Sequence, residues 1–300
     1  MISIIICSRD KEMLATVSQS VQETIGVVYE IISIDNSKGD YSIFEAYNLG
    51  AQKSKFQYLC FMHEDLVFHT QHWGKKLIAY LSDLTIGLVG VAGSTYKSRN
   101  NSAWWGAPGV PDHYRRFCFE QSDAAGTKPE IYYLNPRQEV ISDVVVMDGL
   151  WLATRQDTWQ KNKFDEQTFK GFHFYDLDFS LQIKQTLRVC VIYDIRIEHR
   201  SHGNVNKSWA ESSIIFHKKW ESKLPVSVSP ILPLELQRFE FLTANDFLQT
   251  LKRFGYPKTV ILKFQLRYLQ LYTAYLQIYS FRDYLWLLKE SIKRPFRLLR

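Results

Sequence analysis

The 300-residue sequence predicts an α/β fold: a mixed, mostly parallel sheet flanked by helices, followed by a helical C-terminal extension. Three observations predict it. Over residues 2–92, β-branched apolar runs alternate with amphipathic stripes of helical period, and right-handed crossovers turn such an alternation into parallel strands with helices on both faces. Several apolar runs end abruptly in acids or histidine, as strands do when they deliver polar groups to the open edge of a sheet. Finally, Pro225, Pro230 and Pro233 interrupt the pattern, and the chain beyond them is basic and helical in character.

Residues 2–7 are nearly continuous in isoleucine, which suits a central strand buried on both faces. Ser8-Arg9-Asp10 closes it, and Met13, Leu14, Val17 and Val21 form the apolar stripe of a helix over 11–24 that stops at Gly26. A second strand, 27–34, stops at the turn residues Asp35-Asn36-Ser37-Lys38-Gly39. A helix over 43–53 leads to a third strand, 58–62, and then to His63-Glu64-Asp65. A helix over 73–84 and a strand over 87–92 complete the alternation. Regularity lapses over 93–137, where Gly, Pro, Ser and the paired Trp104-Trp105 predict a long functional loop. A strand over 140–147 follows, then Asp148-Gly149, a helix over 179–186 after Asp176 and Asp178, a strand over 189–193, and the polar knot around His199. The expected division is a catalytic domain over 1–224, a linker over 225–233 and a helical basic extension over 234–300.

Composition is ordinary for a globular protein, at 46% hydrophobic and 23% charged residues, with a high aromatic share of 15%. Residues 256–300 carry nine Lys or Arg against two acids, so of the net +6 the rest of the chain holds −1. A near-neutral body with a basic tail points to a surface partner for the tail and away from a nucleic-acid-binding protein. The tail's apolar and aromatic residues, interleaved with Lys and Arg, suit either an anionic membrane face or packing on the catalytic domain or a second copy. Cys7, Cys60, Cys118 and Cys190 lack paired spacing, which predicts free thiols in a reducing compartment. The N-terminal residues lack the features of a signal peptide, and no segment has the uncharged length of a bilayer span. The expected location is cytoplasmic, with peripheral attachment to the inner face of the cell membrane.

Asp35, His63-Glu64-Asp65 and His199 each fall at a predicted strand end, and in a parallel sheet those ends share an edge. Read alone, each is equally a solvated turn. Read together, one carboxylate suits a nucleoside, while a carboxylate and an imidazole suit a divalent ion bridging two phosphates. The Walker loop is missing, and Cys7-Ser8-Arg9-Asp10 replaces the glycine fingerprint of dinucleotide enzymes. Asp176 and Asp178 fit helix capping, or a general base made basic by the aromatics before them.

In their order these residues resemble the GT-A glycosyltransferases, in particular the inverting family 2 and its relatives, over 2–224. Ser8-Arg9 is similar to the family's base-contacting turn. Asp35-Asn36 resembles its nucleoside-binding acidic pair, with Asn in second place. Ala46-Tyr47-Asn48-Leu49-Gly50 resembles Ala-Arg-Asn-x-Gly, and His63-Glu64-Asp65 stands where the family has Asp-x-Asp. Asp148-Gly149 resembles the acceptor-site stretch, Tyr175-Asp176-Leu177-Asp178 the Glu-Asp-x-Asp motif, His199 the late metal-binding histidine, and Phe216-His217-Lys218-Lys219-Trp220 the Lys-Trp closing motif. The resemblance implies Asp176 as catalytic base; Ser8, Arg9, Asp35, Asn48 and Glu64 at the nucleotide; and Asp65, His199 and His63 at a manganese or magnesium ion. It also places Asp148, Trp151, Trp104, Trp105 and Asp178 toward sugar or acceptor, although tryptophans equally fill cores. His63 in place of an acid favours manganese. The implied reaction moves a sugar from a nucleotide-diphosphate donor, a UDP-sugar favoured, to a hydroxyl of a glycan or lipid-linked glycan in surface polysaccharide synthesis. The alternative is a non-catalytic nucleotide-sugar-binding or scaffold subunit on the same fold.

Overall fold

A computed structural model describes residues 1–123, 126–201, 203 and 205–278. In chain order its first elements are β1 (Ile2–Ser8), α1 (Lys11–Thr24), β2 (Tyr29–Asp35), α2 (Ile43–Lys53), β3 (Tyr58–Met62), β4 (Leu66–Phe68), α3 (Trp73–Leu81) and β5 (Ile86–Gly90). Next come β6 (Ala92–Ser94), β7 (Tyr96–Lys97), β8 (Arg115–Gln121), β9 (Glu130–Leu134), β10 (Ile141–Val144), β11 (Val146–Met147) and β12 (Trp151–Arg155). The remainder are α4 (Gln156–Lys161), α5 (Tyr175–Lys184), β13 (Arg188–Ile192), β14 (Ile197–His199), α6 (Lys207–Lys219), β15 (Val226–Ser227), α7 (Pro233–Arg253) and α8 (Lys258–Ile278).

A 7-stranded sheet in the order β10-β13-β5-β12-β3-β1-β2 forms the centre. β1 runs parallel to β2 and β3, and β13 parallel to β5, while β12 is antiparallel to both its neighbours. The sheet is therefore mixed and mostly parallel, as the alternation predicts. Side-chain parity splits its core in two. Ile4, Ile6, Cys60, Met62 and Trp151 pack toward α1 and α3, whereas Ile5, Leu59, Phe61 and Leu152 pack toward α2 and α5. Each apolar strand thus buries both faces, and this two-sided burial holds the strand ends in fixed register.

A 6-stranded sheet, β11-β6-β8-β14-β4 with β9 on β8, stands across one end of the first. The sequence pattern missed much of it. β8 and β9 lie within the expected 93–137 loop; β8 reads as irregular because Arg116 and Glu120, 3% and 2% exposed, are buried charges in a strand. β12 was also missed, hidden after Asp148-Gly149. Residues 225–233, expected as a linker, include a strand: Val226 and Ser227 pair with Lys97 and Tyr96, and Val228 N–H donates to the Thr95 carbonyl at 2.8 Å. α7 then buries Phe239, Glu240 and Phe241 against the body, so this part of the extension is integral to it. The expected extension's residues 279–300, with most of the basic tail, lie outside the described residues. No helix among the described residues is long and apolar enough to cross a membrane. The four cysteines are free thiols.

Candidate active site

The site forms where the C-terminal ends of β2, β1 and β3 meet β14. Registers Ser8↔Asp35 and Ile6↔Met62 set three strand ends side by side. Beyond Met62, His63 N–H still bonds to the Leu150 carbonyl, 3.1 Å, in the register of β3 with β12, and Asp65 leads directly into β4. β4 pairs antiparallel with β14, matching Leu66 to His199. That pairing, and not the end of β13, brings His199 to Asp65: the sequence placed His199 after the wrong strand, but at the right edge.

His63, Asp65 and His199 each offer a ligand atom, and these atoms all lie within 4.8 Å of one another. Asp65 Oδ2 is 3.5 Å from His199 Nε2, and Asp65 Oδ1 is 3.9 Å from His63 Nδ1. The tautomer of His63 follows from its hydrogen-bond network. Tyr175 Oη donates to the Gly149 carbonyl at 2.9 Å, which uses its single proton. His63 Nε2, 2.8 Å from the same oxygen, must then be the donor. Nδ1 is left as a bare lone pair facing a carboxylate. Burial, the largest influence, lowers the His63 pKa and keeps the ring neutral. Among the described residues Asp65 Oδ1, which is buried, finds no hydrogen-bond partner. For Asp65 burial raises the pKa, but His199 and His63 more than offset it and hold the carboxyl well below its usual range. For His199 burial lowers the pKa, but the Asp65 carboxylate overcomes this and raises it. An imidazole lone pair and an orphaned carboxylate oxygen facing each other without a proton fit a divalent cation.

Asp176 stands in the first turn of α5, delivered there by Phe174, which adopts a left-handed φ of 70°. Its Oδ1 accepts Leu177 N–H at 2.9 Å. Burial foremost, with the charge of Asp148 next, pushes its pKa far above the carboxylate range, against the backbone hydrogen bonds that lower it. Asp148 is fixed in turn: Oδ1 accepts Leu150 N–H at 2.8 Å and Oδ2 accepts Trp104 Nε1–H at 2.5 Å. Trp104 is 8% exposed, with Trp105 edge-on beside it at 5.8 Å and more open at 37%.

Glu64 uses its carboxylate on the turn after β1, accepting Ser8 Oγ (2.7 Å), Arg9 N–H (3.0 Å) and Asp10 N–H (3.1 Å). Ser8 and Glu64 therefore shape this turn through each other, while Arg9 lies exposed on it. Asp35 is exposed at the end of β2, its carboxylate held by Ser37 N–H at 2.9 Å.

Three expected site residues are elsewhere. Asn48 is 3% exposed and packs α2 onto the 159–166 segment: its amide donates to the Phe164 carbonyl (2.8 Å) and Glu166 (2.7 Å) and accepts Trp159 Nε1–H (3.2 Å). Trp151 is fully buried edge-on to Trp73, because strand parity turns it to the α1–α3 face. Asp178, two residues after Asp176, is fully buried, holding Lys219 Nζ (2.7 Å), Trp220 Nε1 (2.8 Å) and Gln182 Nε2 (2.8 Å). Both side chains are fully buried, Trp151 against Trp73 and Asp178 against Lys219 and Trp220. Sequence reasoning missed the Tyr175–Gly149 pair that orients His63, although both stand in motifs it singled out.

The family model described as Glycosyltransferase like family matches residues 3–224. No curated protein matches the sequence. Among solved structures, GalNAc-T7 with UDP, GalNAc and Mn2+ is similar at 14% identity and a TM-score of 0.48 over 74% of this chain. The chain spans only 50% of the length of that protein. TarS 1-349 from S. aureus is similar at 9% identity and a TM-score of 0.45, over 83% of this chain and 80% of its own. A197 from STIV is similar at 13% identity and a TM-score of 0.37, over 67% and 86% respectively.

Proposed function

The chain belongs to the Glycosyltransferase like family, and from that premise we propose that it is a glycosyl-transfer enzyme, inverting and cation-assisted, using a nucleotide-diphosphate sugar. The observation that carries the cation is the His63 Nδ1 lone pair facing the orphaned Asp65 Oδ1 beside His199. A donor set of two imidazoles and one carboxylate suits manganese better than magnesium, which prefers oxygen ligands. When bound, a divalent cation there supplies Lewis-acid stabilisation to the departing diphosphate. The exposed Asp35, beside the turn Ser8-Arg9, is the carboxylate offered to the nucleoside. A UDP-sugar is the donor to test first.

Asp176 takes the proton from the attacking hydroxyl of the acceptor. The hydroxyl oxygen bonds to the anomeric carbon as the bond to the diphosphate oxygen breaks, and that oxygen leaves with the electron pair. One displacement inverts the anomeric centre. The raised pKa of Asp176 supports this role, since a base of higher pKa takes a larger share of the proton in the transition state. Asp148 and the exposed edge of Trp105 lie on the side offered to the acceptor.

For the acceptor we favour a lipid-linked glycan of surface polysaccharide synthesis, met at the inner face of the cell membrane. Leu262 and Leu266, one turn apart on α8 and 53% and 62% exposed, are bordered by the exposed Lys258, Lys263 and Arg267. Such a face suits an anionic bilayer. Co-sedimentation of the full chain with phosphatidylserine vesicles, but not with phosphatidylcholine vesicles, is the expected outcome; no binding to either sinks this reading. Calorimetry with Mn2+ and UDP tests the cation site: Asp65→Asn is expected to abolish Mn2+ binding, and unchanged affinity refutes the site.

A further inference from the structure

The 96–104 segment, buried at every residue but Arg99, is a strut between the C-terminal helices and the acceptor side of the site. Its outer anchor is Glu240 on α7, a carboxylate 6% exposed. It accepts Tyr96 Oη (2.5 Å), Ser98 Oγ (2.9 Å), Arg99 N–H (3.2 Å) and Asn100 Nδ2 (2.8 Å). The next residue, Asn101, bonds Ser213 of α6 at 3.2 Å and Tyr268 of α8 at 3.3 Å. Lys97, 1% exposed, donates to the Ser102 carbonyl (2.8 Å) and hydroxyl (2.6 Å) and to His217 Nε2 (3.0 Å). Two residues after Ser102 the strut ends on Trp104, whose indole N–H holds Asp148.

Burying a carboxylate is costly unless its lone pairs are filled, and a filled network of this kind specifies one arrangement of the groups it joins. Among the described residues the segment reaches the cleft through the Trp104–Asp148 bond, while His217, held by Lys97, packs against Phe174 beside Asp176. We propose that Glu240 is a positioning residue: through residues 96–104 it fixes Trp104 on Asp148 and so sets the shape of the acceptor side. The inference rests on the glycosyl-transfer reading for its kinetic consequence, but not for its geometry. The cation ligands stand in the turn between β3 and β4 and on β14, away from the strut, so their affinity is expected to be independent of it.

The test uses the full chain with Glu240→Gln, which turns an acceptor oxygen into a donor facing donors, and Asn100→Ala should that variant fail to fold. With Mn2+ and UDP-sugars as probes, kcat for UDP release is expected to fall about 10- to 100-fold, as for a small displacement of a reacting group. Mn2+·UDP affinity is expected to stay unchanged. In a cycle with Trp104→Phe, the double variant is expected to be no slower than Trp104→Phe alone, because both act at one contact. Additive losses, or a loss of UDP affinity in step with melting temperature, would mean that Glu240 is merely structural. A second readout needs no turnover: the 19F resonance of 5-fluorotryptophan at position 104, assigned by its absence in Trp104→Phe, is expected to move in Glu240→Gln. An unmoved resonance overturns the proposal. A wild-type chain that releases no UDP refutes the transfer reading alone, and the resonance still decides the part of Glu240.

Discussion

At the scale of single residues, two protons govern the proposed chemistry. The first is on His63 Nε2, placed there by Tyr175, whose own proton goes to Gly149. Tyr175→Phe removes the oxygen that orients the ring, and Mn2+ affinity measured by calorimetry is expected to fall about 10- to 100-fold, the usual loss when a ligand's outer hydrogen bond is deleted. The second is the one that Asp176 takes from the acceptor hydroxyl. The folded pKa of Asp176 is raised, burial being the main cause, so its contribution to stability is fully present below the unfolded carboxylate value near ~4 and is lost as pH rises toward the folded one. Asp176→Asn is therefore expected to melt higher than wild type at pH 8, by ~2–4 °C for each kcal/mol of strain relieved, and to match it near pH 4. A variant that melts lower at pH 8 contradicts the environment assigned to this carboxyl. Removing the charge of Asp148 by Asp148→Asn lowers the Asp176 pKa, so the acid limb of the rate profile is expected to move to lower pH.

At the scale of elements, α5 carries two acids with opposite tasks, one facing the cleft and one binding α6. Asp178→Ala strands Trp220 Nε1 and takes one partner from Lys219. Loss of a buried charged partner of this kind costs about 3 kcal/mol, measurable as a reduced urea midpoint. Gly149 is where α5 meets the turn before β12: a Cβ there would lie 2.1 Å from Tyr175 Oη. Gly149→Ala is thus expected to displace Tyr175 and weaken Mn2+ binding as Tyr175→Phe does. The sequence made the helices of 11–24 and 43–53 and the strand of 58–62 legible because each has an uninterrupted period and a turn to end it. It also brought His63, Asp65 and Asp176 into view, since acids after apolar runs stand out. It hid β14, which is three residues long, and the facing of Trp151, which depends on a parity fixed only by pairing with β3. Asp176 and Asp178 differ in partners, Lys219 and Trp220, that approach from a distant part of the chain, so no local pattern distinguishes base from anchor.

At the scale of the whole molecule, two-sided burial of the central sheet fixes one edge, the crossing sheet brings His199 to it, and the C-terminal helices brace the loop that faces it. Those helices are consequently expected to be indispensable: a chain ending at residue 232 takes Phe239 from Tyr96 and Glu240 from its four donors. Such a chain is expected to lose cooperative unfolding in a calorimetric scan. The claim that joins all three scales is that this edge holds a cation–diphosphate pair while Asp176 supplies the base. It is tested most directly by measuring UDP release from UDP-sugars with Mn2+ in wild type and Asp176→Asn, with Mn2+·UDP affinity taken on both. Equal affinity with turnover reduced about 10²- to 10⁴-fold in the variant is the expected result. Turnover retained by Asp176→Asn, or lost only together with nucleotide affinity, would contradict it.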